Sequence, residues 1–93
     1  MRSARPSEEQ LRRNFDSVLS EVSAGRGVRT ETGLDEQTEN ALWAIARAAP
    51  NIAPELVDAA RAAFAGQLDG SNAVARRAEF DRKLAERAAR NQR

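Results

Sequence analysis

A chain of 93 residues with 41% apolar content has room for one core and one domain, and none for a catalytic domain beside a regulatory one. Having neither Cys nor His, it lacks a disulfide framework, thiolate and imidazole metal ligands, a cysteine nucleophile and the usual general base near neutral pH. The formal charge of +1 conceals an uneven distribution, with +2 over residues 1–30, −5 over 31–70 and +4 over 71–93.

Half of the apolar residues are alanine, 19 in all, so the core former is largely methyl groups. A buried Leu or Phe supplies roughly 1.5–3 kcal/mol and Ala much less, which predicts a marginal monomer or one that completes its core with a protein partner or a second copy. Arg outnumbers Lys by 14 to 1, as the coding bias of a GC-rich bacterial genome produces without selection for function. No apolar run approaches the roughly 20 residues of a membrane span, and Met1–Pro6 lacks a hydrophobic signal centre. The expected location is cytoplasmic, with no membrane partner.

Residues 1–6 are expected to be disordered. Ser7-Glu8-Glu9-Gln10 has the capping-box form, and Leu11, Phe15, Val18, Leu19 and Val22 then follow i, i+4, i+7, i+8, i+11, which predicts a first helix over 7–23. Gly25-Arg26-Gly27 ends it. From Val28 to Gly33 there is no helical stripe: Val28, Thr30 and Thr32 alternate with Arg29 and Glu31, read as a loop rather than a short strand because a lone strand has nothing to pair with unless the protein dimerises through it.

Asp35 is a natural N-cap for a second helix over 35–48, with Glu36 and Glu39 complementing its dipole and Leu42, Ile45, Ala46 and Ala49 forming the apolar seam. Pro50-Asn51 breaks the pattern. A third helix over 52–66, capped by Asn51 and tolerating Pro54 in its first turn, carries Ile52, Leu56, Val57, Ala60, Phe64 and Leu68 and closes at Gly66 or Gly70. Ser71 can cap a fourth helix over 71–89, docking through Val74 and Leu84 and fraying after about Ala89, with residues 90–93 a frayed C-terminus. The expected fold is all-α: a small irregular bundle of about four helices around a central helical hairpin, one domain over 7–89. Its acidic middle and basic ends are read as complementarity between packed helices.

No constellation carries catalysis. Glu36/Glu39 and Glu55/Asp58 are carboxylate pairs on one helical face, but each lies in a first turn where the dipole alone favours acids. Ser and Thr have no His beside them, and Gly25-x-Gly27 lacks the rest of a phosphate or dinucleotide loop. The expectation is a non-enzyme with no catalytic, cofactor-binding or metal residues. On the last helix Arg76, Arg77, Arg82 and Lys83 are candidate phosphate contacts, but with Arg87 and Arg90 they encircle the helix and are interrupted by acids.

Two stretches carry resemblances. Val28-Arg29-Thr30-Glu31-Thr32-Gly33-Leu34 followed by two helices resembles the ribbon-helix-helix repressor and antitoxin family over about 35 residues. That resemblance implies a dimeric DNA-binding repressor with Arg29, Glu31 and Gly33 facing the major groove; an acid and a glycine depart from good base readers, and Thr30 and Thr32 from the family's bulky apolar positions. On the first helix, Ser17-Val18-Leu19-Ser20-Glu21 resembles the Ser/Thr-x-x-x-Glu inhibitory helix of small Fic-enzyme antitoxins. There the resemblance implies that Glu21 obstructs a nucleotide γ-phosphate, although Val22 stands where Gly or Asn normally follows.

The reading adopted is a small non-enzymatic helical protein acting by protein–protein contact, such as an antitoxin-like inhibitor or a mobile-element accessory protein, with the repressor as the alternative. Trp43, Phe15 and Phe80 are the candidate partner-binding residues. Trp43 adjoins Leu42, and neighbours diverge by 100° around a helix, so Trp43 is displaced from the seam. Either Phe15 and Leu19 close over it as a core anchor, or it stays partly open as an aromatic hot spot.

Overall fold

The computed structural model describes residues 6–91, in four helices: α1 (Glu8–Ser23), α2 (Glu36–Ala48), α3 (Pro54–Asp69) and α4 (Ser71–Asn91). The all-α bundle is as expected. The disorder expected for residues 1–5 and the fraying expected for 92–93 lie outside the described residues, whereas Pro6, expected to be disordered, is half-buried, and Arg90 and Asn91, expected to fray, belong to α4.

Local chemistry accounts for the helix ends. Ser7 accepts the Gln10 amide at 3.1 Å and Asp35 accepts the Thr38 amide at 2.9 Å, so each satisfies one of the orphan first-turn donors. The third helix departs from expectation. Asn51 is not its cap; α3 starts behind Ala53 with no side-chain cap, and Pro54 fills the first position, where its missing N–H costs nothing. Gly70, left-handed at φ 86°, ends α3 a turn later than the earlier of the two expected stops, and Asp69 Oδ1 then accepts the Ser71 amide at 2.8 Å.

The core sits where α1 crosses the α2–α3 hairpin. Phe15, Val18, Leu19 and Val22 of α1 meet Leu42 and Ile45 of α2, Ala60 and Phe64 of α3, and Leu34 from the loop. Phe15 and Phe64 stack with ring centroids 4.5 Å apart and planes 4° from parallel. Such a pair adds about 0.5–1.5 kcal/mol beyond its burial.

Residues 28–34 form a loop, with no strand among the described residues. Their polar groups are satisfied from outside: Asn14 Nδ2 donates to the Thr32 carbonyl at 2.8 Å and Gln67 Nε2 to the Gly33 carbonyl at 2.8 Å. Glu31 and Gly33 have φ of 62° and 82°, which breaks any extended run. Thr32 and Leu34 point inward and are buried, but without an extended run there is no ribbon of the kind a ribbon-helix-helix protein presents.

The fourth helix departs furthest from its expected docking. None of its residues is buried, and Val74, expected as a docking residue, is 70% exposed. The cause is the corner that starts it. Asn72 Nδ2 donates to Asp35 Oδ2 at 2.9 Å and to the Ala63 carbonyl at 2.7 Å, and Gln37 Nε2 donates to the Asn72 carbonyl at 3.3 Å. Gly66 gives Asn72 its space, since a Cβ there would overlap the Asn72 amide. This clamp fixes the first turn of α4 against the start of α2 and aims the remaining turns outward. The molecule is correspondingly elongated, 53 × 41 × 19 Å, with a Cα radius of gyration of 16.2 Å, against roughly 12 Å for a compact domain of this length.

Candidate functional site

The residues left for recognition are those the core does not consume, and they gather on α4 and on the outer face of α2. On α4, Phe80 and Leu84 lie one turn apart and are 57% and 46% exposed. Beside them Arg76, Lys83, Arg87 and Arg90 fall within about 60° of one another at 100° per residue. Four of the basic residues thus make a stripe next to the apolar pair rather than encircling the helix. Arg77 and Arg82 lie off that stripe.

Most of the charge on α4 is paired along the helix itself. Arg77 meets Asp81 at 3.3 Å, Arg82 meets Glu79 at 2.7 Å and Glu86 at 3.7 Å, and Lys83 meets Glu79 at 3.9 Å. All are solvent-exposed pairs, each contributing about 0–1 kcal/mol. Arg82, and to a lesser degree Lys83, holds the Glu79 carboxyl below its ordinary value. Among the described residues no ion pair joins α4 to the rest of the protein. The expected complementarity between packed helices is therefore absent, because α4 is not packed along an acidic neighbour.

On α2, Glu36, Glu39, Trp43 and Arg47 occupy one outward arc. Trp43 is 42% exposed. Its ring edge lies near Gly27, and α1 does not close over it, because Phe15 turns instead to Phe64. Of the three expected partner residues, the structure leaves Trp43 and Phe80 accessible and removes Phe15, which is 2% exposed. Leu84, read from the sequence as a docking residue, joins the accessible set.

Other features lie apart from these two helix faces. A groove of about 500 Å³ runs between α1 and α3, floored by Phe15, Phe64 and Leu68 with Arg12, Asp16 and Arg61 at its rim. Arg29, the candidate base reader, is engaged on α1: it pairs with Glu21 Oε2 at 3.2 Å and donates to Ser17 Oγ at 3.3 Å. One guanidinium thereby engages both defining residues of the Ser-x-x-x-Glu pattern. Arg76, at the corner end of the basic stripe, lines a groove with Glu8, Gly33 and Gln67. Among the described residues no three carboxylates converge as a metal ligand set would, and no helix is long and apolar enough to cross a membrane.

The sequence pattern missed the corner. Gln67 takes the Asp35 amide at 2.9 Å and holds the Gly33 carbonyl, while Asn72 ties α4 to Asp35 and Ala63. Polar residues inside a helical pattern carry no mark of such long-range partners; the one available signal was Gly66 in mid-helix, which usually has a packing reason. No family model, curated protein or solved structure matches the chain.

Proposed function

We propose that the protein is a non-enzymatic module that works by protein–protein contact, with α4 as its presenting arm. One observation carries the reading: Phe80 and Leu84 stand exposed on a helix that buries none of its own residues and is held off the body by a hydrogen-bonded corner. Apolar side chains fixed in this way contribute nothing to the monomer's core and much to a surface that excludes water on binding. An antitoxin-like inhibitor and a mobile-element accessory protein are the roles that such a surface suits.

The DNA-binding alternative draws no support from residues 28–34, where Arg29 is tied to Glu21 and Ser17 and the positive φ of Glu31 and Gly33 interrupts the strand it needs. The test is affinity capture from the native host with tagged wild type and with Phe80→Glu/Leu84→Glu. A partner recovered by the wild type and lost by the variant, with unchanged circular dichroism, is the expected result. Identical recovery by both, or a tight low-salt mobility shift on one duplex that disappears in Arg29→Ala, would overturn the reading.

A further inference from the structure

We propose that the partner of the arm includes a second copy of this chain, in a reciprocal dimer where α4 of each protomer lies antiparallel across the outer face of α2 of the other. The inference rests on the protein-contact reading above and names its partner. The apolar centre of the contact is Trp43 against Phe80 and Leu84, which are exposed large side chains on two different helices of one molecule.

The charges around those centres match in one direction only. Running α4 antiparallel to α2 with Leu84 over Trp43 places Arg87 beside Glu39, Arg90 beside Glu36, and Glu79 and Asp81 beside Arg47. Glu36 and Glu39 are three residues apart, as are Arg87 and Arg90, so both pairs form with one spacing of about 4.5 Å along the axes. Each of these pairs is one residue from exact opposition, with Arg47 itself over Phe80; at the same one-residue tolerance the parallel direction sets Glu39 beside Glu79 and Asp81 and Arg47 beside Arg87, and leaves only Glu36 with counter-charges, Arg76 and Arg77. Among the described residues Glu36, Glu39, Arg47, Arg87 and Arg90 have no ion-pair partner within the chain. The same antiparallel register therefore covers Trp43 with Leu84 and pairs Glu36 and Glu39 with Arg90 and Arg87, charges that the monomer leaves to solvent, while Arg47 joins carboxylates already held by Arg77, Arg82 and Lys83.

The same chain cannot make this contact with itself. Asn72 is bonded to Asp35 and Gln37, so within one molecule α4 begins beside the start of α2, and folding back would run it parallel. The antiparallel register needs the far end of α4 at Glu36, where the near end is already clamped. Only an arm from another molecule can occupy that face, and a two-fold arrangement uses both arms and both faces.

Sedimentation equilibrium on the intact chain, across micromolar to millimolar concentration, tests the proposal. The wild type is expected to approach twice its 10.2 kDa mass. Leu84→Glu is expected to stay monomeric. Glu39→Arg and Arg87→Glu should each weaken association about tenfold or more, while the double variant, which restores the pair with reversed sign, should recover most of it. All these positions are at least partly exposed, and helix content by circular dichroism confirms that each variant folds. A wild type monomeric throughout, a dimer indifferent to Leu84→Glu, or a double variant no tighter than the weaker single would overturn the dimer. The foreign-partner capture decides the broader reading separately, since a monomer that still loses its partner in Phe80→Glu/Leu84→Glu defeats only the self-association.

Discussion

Trp43 and Phe64 show how little residue type says about energetic role. Both are large aromatics on helices of the same hairpin, yet Phe64 stacks on Phe15 inside the core while Trp43 is 42% exposed beside its seam. Phe64→Ala should cost roughly 3–5 kcal/mol and abolish a cooperative melt in so small a domain. Trp43→Ala should cost well under half of that and leave a folded protein, and thermal melts of the two variants side by side check it. Tryptophan emission in the monomeric Leu84→Glu variant should accordingly be red-shifted and open to collisional quenching, because its ring keeps water contact. Gly66 is the other decisive residue. A Cβ there would meet the Asn72 amide, which is held by two hydrogen bonds and cannot retreat cheaply. Gly66→Ala should destabilise the protein by about 1–3 kcal/mol by urea unfolding, despite the better helix propensity of Ala.

At the scale of the element, α4 is a helix with little tertiary support, so its stability rests on its own pairs and its cap. The Asp69 carboxylate accepts the Ser71 amide, and the Glu79 carboxylate is held by Arg82, so both groups are pulled below their ordinary values. In each case the folded helix favours the ionised form. Their stabilisation is complete above the ordinary carboxylate range and is lost as pH falls through the lowered values of the folded state. Acid titration followed by helical circular dichroism should show part of the helix signal melting at the low end of the carboxylate range, ahead of loss of the core. Asp69→Asn and Glu79→Gln together should flatten that early phase. The same reasoning makes Asp35 worth more than a cap: Asp35→Ala removes the acceptor of both the Thr38 amide and Asn72, and should exceed the roughly 1 kcal/mol of an ordinary N-cap.

For the molecule as a whole, the arm makes shape a measurable quantity. Small-angle scattering of the Leu84→Glu variant should give a radius of gyration near 16 Å, as the extended structure has, rather than the roughly 12 Å of a compact bundle. A compact value would place α4 against the body and remove the surface that the proposed function requires. What the sequence by itself determined is the set of local choices: four helices, the Ser7 and Asp35 caps, the apolar seams of α1 and the hairpin, and the displacement of Trp43 from its seam. These are readable because caps and helical periodicity act over three to eleven residues. The position of the third helix's start was misread because Asn51 has capping chemistry, whereas Ala53 and Pro54 use backbone constraint alone. Only the tertiary structure decided which apolar stripes are buried. Phe15 went inside because Phe64 faces it, and the stripe of α4 went outside because Asn72, Asp35 and Gly66, up to 37 residues apart in the chain, set the direction of the helix at its first turn. A hydrophobic pattern states that a face seeks cover; whether the same chain or another molecule provides it depends on where the connecting corner points.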